Sequence, residues 1–148
     1  MRKLERSSSI LFLPFSKGRL KVILQHKSTT VKKYVSQSLR YLENGLISLN
    51  QGDYDKASEF FWGSIAQAIK ALAANKGIEL KTHGELWDFT RELAKELGDP
   101  KVYETFRTAN YLHTNFYEVE LGPEEVVAAS DSIRAVVGQL LKQLQHEF

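Results

Sequence analysis

The sequence contains no cysteine, so disulfide bonds, thiolate metal sites and cysteine nucleophiles are all excluded. It also lacks any run that approaches the roughly 18 apolar residues needed by a membrane-spanning helix. The apolar run near the start, Ile10–Phe15, is short for the core of a signal peptide, and no small-residue cleavage site follows it. We therefore expect a cytoplasmic protein that has no membrane partner.

The composition is that of an ordinary globular domain, with 43% hydrophobic and 26% charged residues in a chain of 148. Its net charge of +2 is unevenly distributed. Residues 1–30 hold seven basic side chains and one acidic side chain, for a net charge of +6, and the remaining 118 residues carry a net charge of −4. A mildly acidic body has no broad positive field with which to attract nucleic acid at long range.

Residues 1–30 differ from the rest of the chain in pattern as well as in charge. Two short apolar runs, at 10–15 and 20–24, flank Ser-Lys-Gly-Arg, which is typical of a β-hairpin whose first strand Pro14 would keep at a sheet edge. The segment is interpreted as such a hairpin or as a basic arm; a third hypothesis is that translation begins later, at Val31. We assign 1–30 to this arm or hairpin and 31–148 to the main domain.

The main domain has helical periodicity throughout. Its apolar residues repeat at alternating steps of four and three, and glycine, proline and aspartate separate the periodic segments. Several helices joined by short links predict an all-α, up-and-down bundle of about five helices. The predicted helices are 31–50, 54–75, 83–97, 101–120 and 126 to nearly 148.

The helix predicted at 101–120 carries two different stripes of side chains. The first stripe faces other helices and is apolar except for one imidazole: Val102, Phe106, Ala109, His113 and Phe116. The second stripe lies beside it and is polar and aromatic: Tyr103, Arg107, Asn110, Thr114 and Tyr117. His113 is either a satisfied core or interface residue or part of one polar site with Arg107, and the spacing alone leaves both interpretations open.

Most catalytic motifs are absent from the sequence, including glycine-rich phosphate loops, His-Glu-x-x-His, Gly-x-Ser-x-Gly and calcium loops. The four histidines are far apart, and none has a carboxylate three or four residues away on an apolar helix face. We therefore expect no bound metal and no cofactor. For His83 we expect a solvated role, and for Trp62 and Trp87 a core position unless one of them stacks on a nucleobase.

Three segments carry a family resemblance: GDYDKASEFFWGSIAQAIKALAANKG (52–77), His83-Gly84-Glu85-Leu86 and RTANYLHTNFYE (107–118). Together they resemble the HEPN superfamily (higher eukaryote and prokaryote nucleotide-binding domains), and most of all its archaeal PaREP-type branch, which has a similar Leu-His-x-Asn-Phe-Tyr-Glu run. The resemblance spans about 31–144. The HEPN signature is an arginine followed, after four to six residues, by a histidine on the fourth helix, and Arg107 and His113 match it.

The resemblance implies a helical bundle that forms a homodimer and binds RNA, a nucleotide or a partner protein such as an antitoxin or a nucleotidyltransferase. In active members, Arg and His from both subunits converge on an RNA phosphate and cleave the chain without metal. By this resemblance Arg107 and His113 are the candidate catalytic residues. The candidate substrate-binding residues are Asn110, Tyr117, Tyr103 and Thr114.

The chemistry of these two residue types suits a phosphodiester. A guanidinium group can hold two phosphate oxygens, and an imidazole can remove or donate a proton near neutral pH. One imidazole cannot act as base and acid at once, so a two-fold dimer with two copies of His113 would supply both. Two hypotheses stay open: a dimeric protein that binds RNA, a nucleotide or a partner without catalysis, and a metal-independent, toxin-like endoribonuclease.

Overall fold

The computed structural model describes residues 14–115 and 122–145, and this part of the chain contains six helices and no strand. The prediction of an all-α fold is therefore confirmed. In the described ranges no helix combines the length and the apolar character that crossing a membrane requires. The helices are α1 (Lys17–Leu24), α2 (Thr29–Asn50), α3 (Tyr54–Asn75), α4 (His83–Leu97), α5 (Pro100–Asn115) and α6 (Pro123–Gln143).

The predicted helix ends agree well with the structure where capping signals are present. Helix α3 begins after Asp53, whose carboxylate accepts a hydrogen bond from the backbone N–H of Lys56, as expected for an N-cap. Helix α4 begins after Thr82 with a capping box and ends at Gly98, which adopts the left-handed conformation. Of the helix predicted at 101–120, residues 116–120 lie outside the described residues.

The hairpin predicted for 10–24 is wrong in its second strand, and the described residues contain six helices where about five are predicted. Residues 20–24 lie in α1, because the hydroxyl of Ser16 accepts a hydrogen bond from the N–H of Arg19 and starts a helix there. Leu20, Ile23 and Leu24 are spaced three and four apart, so a helix turns them to one side, and Ile23 is fully buried in the core. Most of the first predicted strand lies outside the described residues.

Helices α2 and α3 form a closely packed antiparallel pair. The hydroxyl of Ser38 donates to the backbone carbonyl of Ser64 at 2.7 Å, and the hydroxyl of Ser64 donates to the carbonyl of Ser38 at 2.8 Å. Both serines are fully buried, so each hydroxyl is satisfied by the facing helix. Gly45 of α2 lies directly against the buried ring of Phe61, where a larger residue would have no space.

The prediction of an up-and-down bundle is wrong at one connection, because α3 and α4 run in the same direction, whereas α5 and α6 each reverse it. Helix α4 runs in the same direction as α3, because His83 at its start lies beside Trp62 and Glu96 near its end pairs with Lys76 at 2.8 Å. Helix α5 runs back along α4 after the turn at Gly98. Helix α6 reverses direction again, and the amide of Gln139 donates to the carboxylate of Asp99 at the start of α5 at 3.0 Å.

Helix α1 joins the bundle at the end where α6 finishes. The guanidinium of Arg19 donates to the side-chain oxygen of Gln145 at 2.9 Å, and Pro14 lies against Gly138 of α6. Ile23 contributes to the same core cluster as α2, α3, α5 and α6. His83 and His113 lie toward the opposite end of the bundle, where α3 and α4 begin and α5 ends.

Candidate functional site

The rotation of α5 in the bundle decides which of its side chains are accessible. Val102, Phe106 and Ala109 are buried toward the core, as their spacing predicts. Arg107 and Thr114 of the polar stripe are exposed, and Tyr103 and Asn110 are half-buried. The polar stripe therefore lies at the edge of α5, with Tyr103 packed against Trp87 of α4. Tyr117 of the same stripe lies outside the described residues.

His113 is half-buried, and its imidazole lies nearly parallel to the indole ring of Trp62 on α3. The two ring centroids are 5.8 Å apart, and the angle between the ring planes is 15°. The Nδ1 atom of His113 is buried and has no hydrogen-bond partner among the described residues. The buried ring nitrogen of a purely structural histidine normally has a hydrogen-bond partner, whereas the described residues provide none for this atom.

A second imidazole, that of His83, also lies beside Trp62. The centroids of these two rings are 6.2 Å apart and their planes differ by only 8°. His83 is the first residue of α4 and is exposed to solvent. We call Trp62, His83 and His113 the two-histidine cluster. The distances of both imidazoles from the same indole place their centroids within about 12 Å of each other.

Further aromatic contacts hold this cluster in place. The ring centroid of Trp62 lies 5.0 Å from that of the fully buried Phe106, and Phe106 meets Trp87 edge-on with a centroid distance of 4.6 Å. Trp87 in turn contacts Tyr103 edge-on at 5.8 Å. Aromatic pairs of this kind add to the stabilisation that burial alone provides. A continuous series of rings thus joins α3, α4 and α5, and the cluster lies at one end of it.

The other end of this series meets a cavity that contains Arg107. The cavity has a volume of about 440 Å³ and is lined by Arg91, Tyr103, Glu104 and Arg107, among other residues of α4 and α5. The guanidinium of Arg91 lies 5.3 Å from the ring centroid of Tyr103 and donates to the tyrosine hydroxyl at 3.3 Å.

Arg91 is held in position by several interactions, while Arg107 extends beside it. The hydrogen bond from Arg91 to Tyr103 and a second one to the carboxylate of Asp88 at 3.0 Å raise the pKa of the Arg91 guanidinium. Tyr103 thus positions one arginine at this cavity, although the sequence indicates it only as a substrate-binding residue. The cavity is lined by the cationic side chains of Arg91, Lys95 and Arg107 and by the carboxylates of Asp99 and Glu104. The two guanidinium groups could hold an anion there in spite of the two carboxylates.

Arg107 and His113 are placed on different parts of α5. Six residues of helix separate them by about 9 Å along the axis and about 120° around it. Accordingly, Arg107 faces the cavity near the α4–α5 turn, while His113 contacts Trp62 toward the start of α3. Asn110 lies between them, and its backbone carbonyl accepts a hydrogen bond from the hydroxyl of Thr114 at 2.8 Å. A ligand that contacts both residues must therefore extend along the helix.

In residues 14–115 and 122–145, no group of three or more His, Asp or Glu side chains is placed to hold a metal ion. A family model does match the chain, over residues 33–137, and describes the archaeal PaREP1/PaREP8 family. The chain belongs to this family. The match begins in α2 and ends in α6, so it includes the two-histidine cluster and the arginine cavity and leaves out α1. Comparisons with curated proteins and with solved structures find no match.

Membership in the archaeal PaREP1/PaREP8 family agrees with the branch that the sequence resembles. His83 is exposed to solvent, as expected, and its ring also lies beside Trp62. His83 and His113 are thirty positions apart in the chain, so no local spacing relates them. Trp62, which contacts both, is expected from the sequence to be a core residue. Only the packing of α4 against α3 brings these three rings together.

Proposed function

We propose that this protein binds single-stranded RNA as a homodimer of the HEPN type, at the surface where α5 meets α3 and α4. The observation that carries the proposal is the two-histidine cluster, in which two imidazoles lie nearly parallel to one half-buried indole. Unpaired nucleobases stack on rings of this kind, and each stacked base contributes about 1–3 kcal/mol. Bases in a duplex are already stacked, so single-stranded RNA is the expected ligand.

The arginine cavity supplies the second half of such a site. Arg91 and Arg107 can hold backbone phosphates while the two-histidine cluster contacts bases farther along α5. Because residues 31–148 carry a net charge of −4, attraction at long range is weak and binding depends on these local contacts. We therefore expect modest affinity with a shallow dependence on salt concentration, because only two phosphate contacts are proposed.

A second candidate function is the metal-independent endoribonuclease that the HEPN resemblance implies. It is favoured by the half-buried imidazole of His113, which can exchange a proton with a substrate only through the exposed part of its ring, because Nδ1 is buried. In this function Arg107 would hold the phosphate, and Asn110, Tyr103, Thr114 and Tyr117 would position the substrate. A homodimer would bring two copies of His113 together, one as base and one as acid.

Binding is tested with a mixed-sequence single-stranded RNA in the presence of a chelator, by fluorescence anisotropy over a range of salt concentrations. Arg107→Gln should weaken binding and reduce the salt slope by about one, because one phosphate contact is lost. Arg40→Gln is the matched control, since Arg40 is an exposed arginine on α2. Equal effects of the two substitutions, or no binding at low salt, would refute the proposal. Sedimentation analysis of the same samples determines whether the protein is a homodimer.

The same assay separates RNA binding from the partner-protein function. A protein whose purpose is to bind an antitoxin or a nucleotidyltransferase has no need to retain affinity for RNA. If the wild-type chain and the Arg107→Gln variant both fail to bind RNA at low salt and the protein is still a dimer, the partner-protein function is favoured. Cleavage products that form with a chelator present favour the endoribonuclease.

A further inference from the structure

We propose that the cavity between α5 and α6 binds a linear polyamine, a small organic cation that carries several ammonium groups. The cavity has a volume of about 620 Å³ and is lined by residues of both helices. The carboxylates of Asp99, Glu104 and Asp131 line it, together with a single cationic side chain, that of Lys101. The lining therefore carries two more negative than positive charges at neutral pH. This inference does not depend on RNA binding.

The side-chain hydroxyl of Thr105 is an independent indication of a ligand. Thr105 lines the cavity and is only 7% exposed, yet its hydroxyl makes no hydrogen bond with the described residues. Three other threonines within helices, Thr90, Thr108 and Thr114, each donate to the backbone carbonyl four residues earlier, at distances of 2.7–3.0 Å. Buried polar groups in proteins normally have a partner, so a ligand that enters the cavity is the expected partner of this hydroxyl.

The negative charge of the cavity is not neutralised by neighbouring side chains. Among the described residues there are four ion pairs, and neither Glu104 nor Asp131 takes part in any of them. The carboxylate of Asp99 accepts hydrogen bonds from the amide of Gln139 and the backbone N–H of Lys101, each at 3.0 Å, and these bonds lower its pKa. Asp99 is therefore ionised at neutral pH, and the cavity favours a positively charged ligand.

The carboxylates are spread along the cavity. Asp99 lies at the start of α5 beside Gln139 of α6, and Asp131 precedes Gln139 by eight residues, a rise of about 12 Å along the helix axis. Within 14–115 and 122–145, no three His, Asp or Glu side chains are grouped closely enough to hold a metal ion. One metal ion cannot contact carboxylates this far apart, whereas a linear polyamine places ammonium groups at intervals along its length. The spacing therefore favours a polyamine over a metal ion.

Thr105 and Asp131 are the residues to change, because Asp99 and Glu104 also line the arginine cavity. Thr105→Val replaces the hydroxyl with a methyl group of similar shape. It should leave the unfolding free energy of the ligand-free protein unchanged or slightly higher, since no hydrogen bond within the described residues is lost. The same variant should bind spermidine, a linear polyamine, about tenfold more weakly. Asp131→Asn, which removes one charge, should weaken binding about two- to fivefold.

Binding is measured by calorimetric titration of the full chain with spermidine, in the absence of RNA and at constant ionic strength. We expect one spermidine per chain and a Tm that rises with spermidine concentration, because the ligand binds the folded state. MgCl2 and KCl at equal ionic strength should not raise the Tm in this way. Glu59→Gln is the matched control for Asp131→Asn, since Glu59 is an exposed carboxylate of α3 outside the cavity lining, and it should bind spermidine as the wild-type protein does.

Four results would overturn the inference. The first is the absence of saturable spermidine binding, and the second is equal stabilisation by MgCl2, which would mean that spermidine acts only by general charge screening. The third is equal affinity of Thr105→Val and the wild-type protein, or equal effects of Asp131→Asn and Glu59→Gln, since spermidine would then bind elsewhere. The fourth is a loss of unfolding free energy in ligand-free Thr105→Val, which would mean that the hydroxyl has a structural partner. None of these results bears on the proposed function, whose RNA titrations contain no polyamine.

Discussion

Substitution of Gly45 by alanine should destabilise the protein, although alanine is the better helix former. Gly45 lies in α2, five residues before the last residue of the helix, where α2 packs closely against α3. A Cβ atom added at this position would lie 2.5 Å from Cε1 and 2.7 Å from Cδ1 of Phe61. The best separation of two carbon atoms is about 3.5–4.0 Å, so the overlap exceeds about 1 Å.

Two opposing effects determine the size of the change in unfolding free energy. Replacing a glycine within a helix by alanine stabilises the helix by roughly 1 kcal/mol. Forcing extra volume into a packed core costs about 1–3 kcal/mol. Phe61 is fully buried, so its ring cannot turn away without displacing its neighbours, and we expect a cost at the upper end of that range. The net expectation is a loss of about 1–2 kcal/mol.

The measurement is urea-induced unfolding followed by circular dichroism. Gly84→Ala in α4 is the matched control, since an added Cβ would come no closer than 3.8 Å to the hydroxyl of Thr82. That variant should be unchanged or more stable by up to about 1 kcal/mol. If Gly45→Ala raises the unfolding free energy as much as Gly84→Ala does, Gly45 does not lie as close to Phe61 as described. In a protein that already carries Phe61→Leu, Gly45→Ala should lower the unfolding free energy by less than it does in the wild-type protein.

Two further predictions concern buried and charged hydrogen bonds. Ser38→Ala should lower the unfolding free energy by about 1 kcal/mol, since it removes one of the two reciprocal hydrogen bonds with Ser64. As a control at an exposed position of α2, Ser36→Ala should change the unfolding free energy by less than about 0.5 kcal/mol in the same urea titration. The amide of Gln139 and a backbone N–H lower the pKa of Asp99, so this carboxylate stabilises the fold at neutral pH and loses that effect as the pH falls through its folded-state pKa. Asp99→Asn should flatten the acid side of the stability profile, and an unchanged profile would contradict this assignment.

The fold class and most helix ends follow from local features of the chain. Helices α3 and α4 occupy the predicted residues, because their boundaries depend on contacts between neighbours in the chain. Asp53 caps one start, and Gly77 and Gly98 have positive φ just after the two ends. The apolar face of α5 was equally predictable, since Val102 and Phe106 are fully buried. Local chemistry and periodicity are sufficient for these features.

The same local pattern was ambiguous for α1. Two apolar runs around a glycine are compatible with a hairpin or with a helix that starts at Ser16. Ile23 can be fully buried only because α1 packs against the core, and this contact joins residues that are far apart in the chain. The periodicity of a short segment does not contain that information.

Which polar groups meet depends on how the helices pack against one another. The family resemblance pairs Arg107 with His113, but in the bundle Arg107 lines the cavity near the α4–α5 turn, whereas His113 lies beside Trp62, as His83 does. Periodicity tells which face of a helix is buried, whereas the neighbours of that face depend on how helices rotate and align when they pack. The identity of the candidate site is therefore a property of the packed bundle.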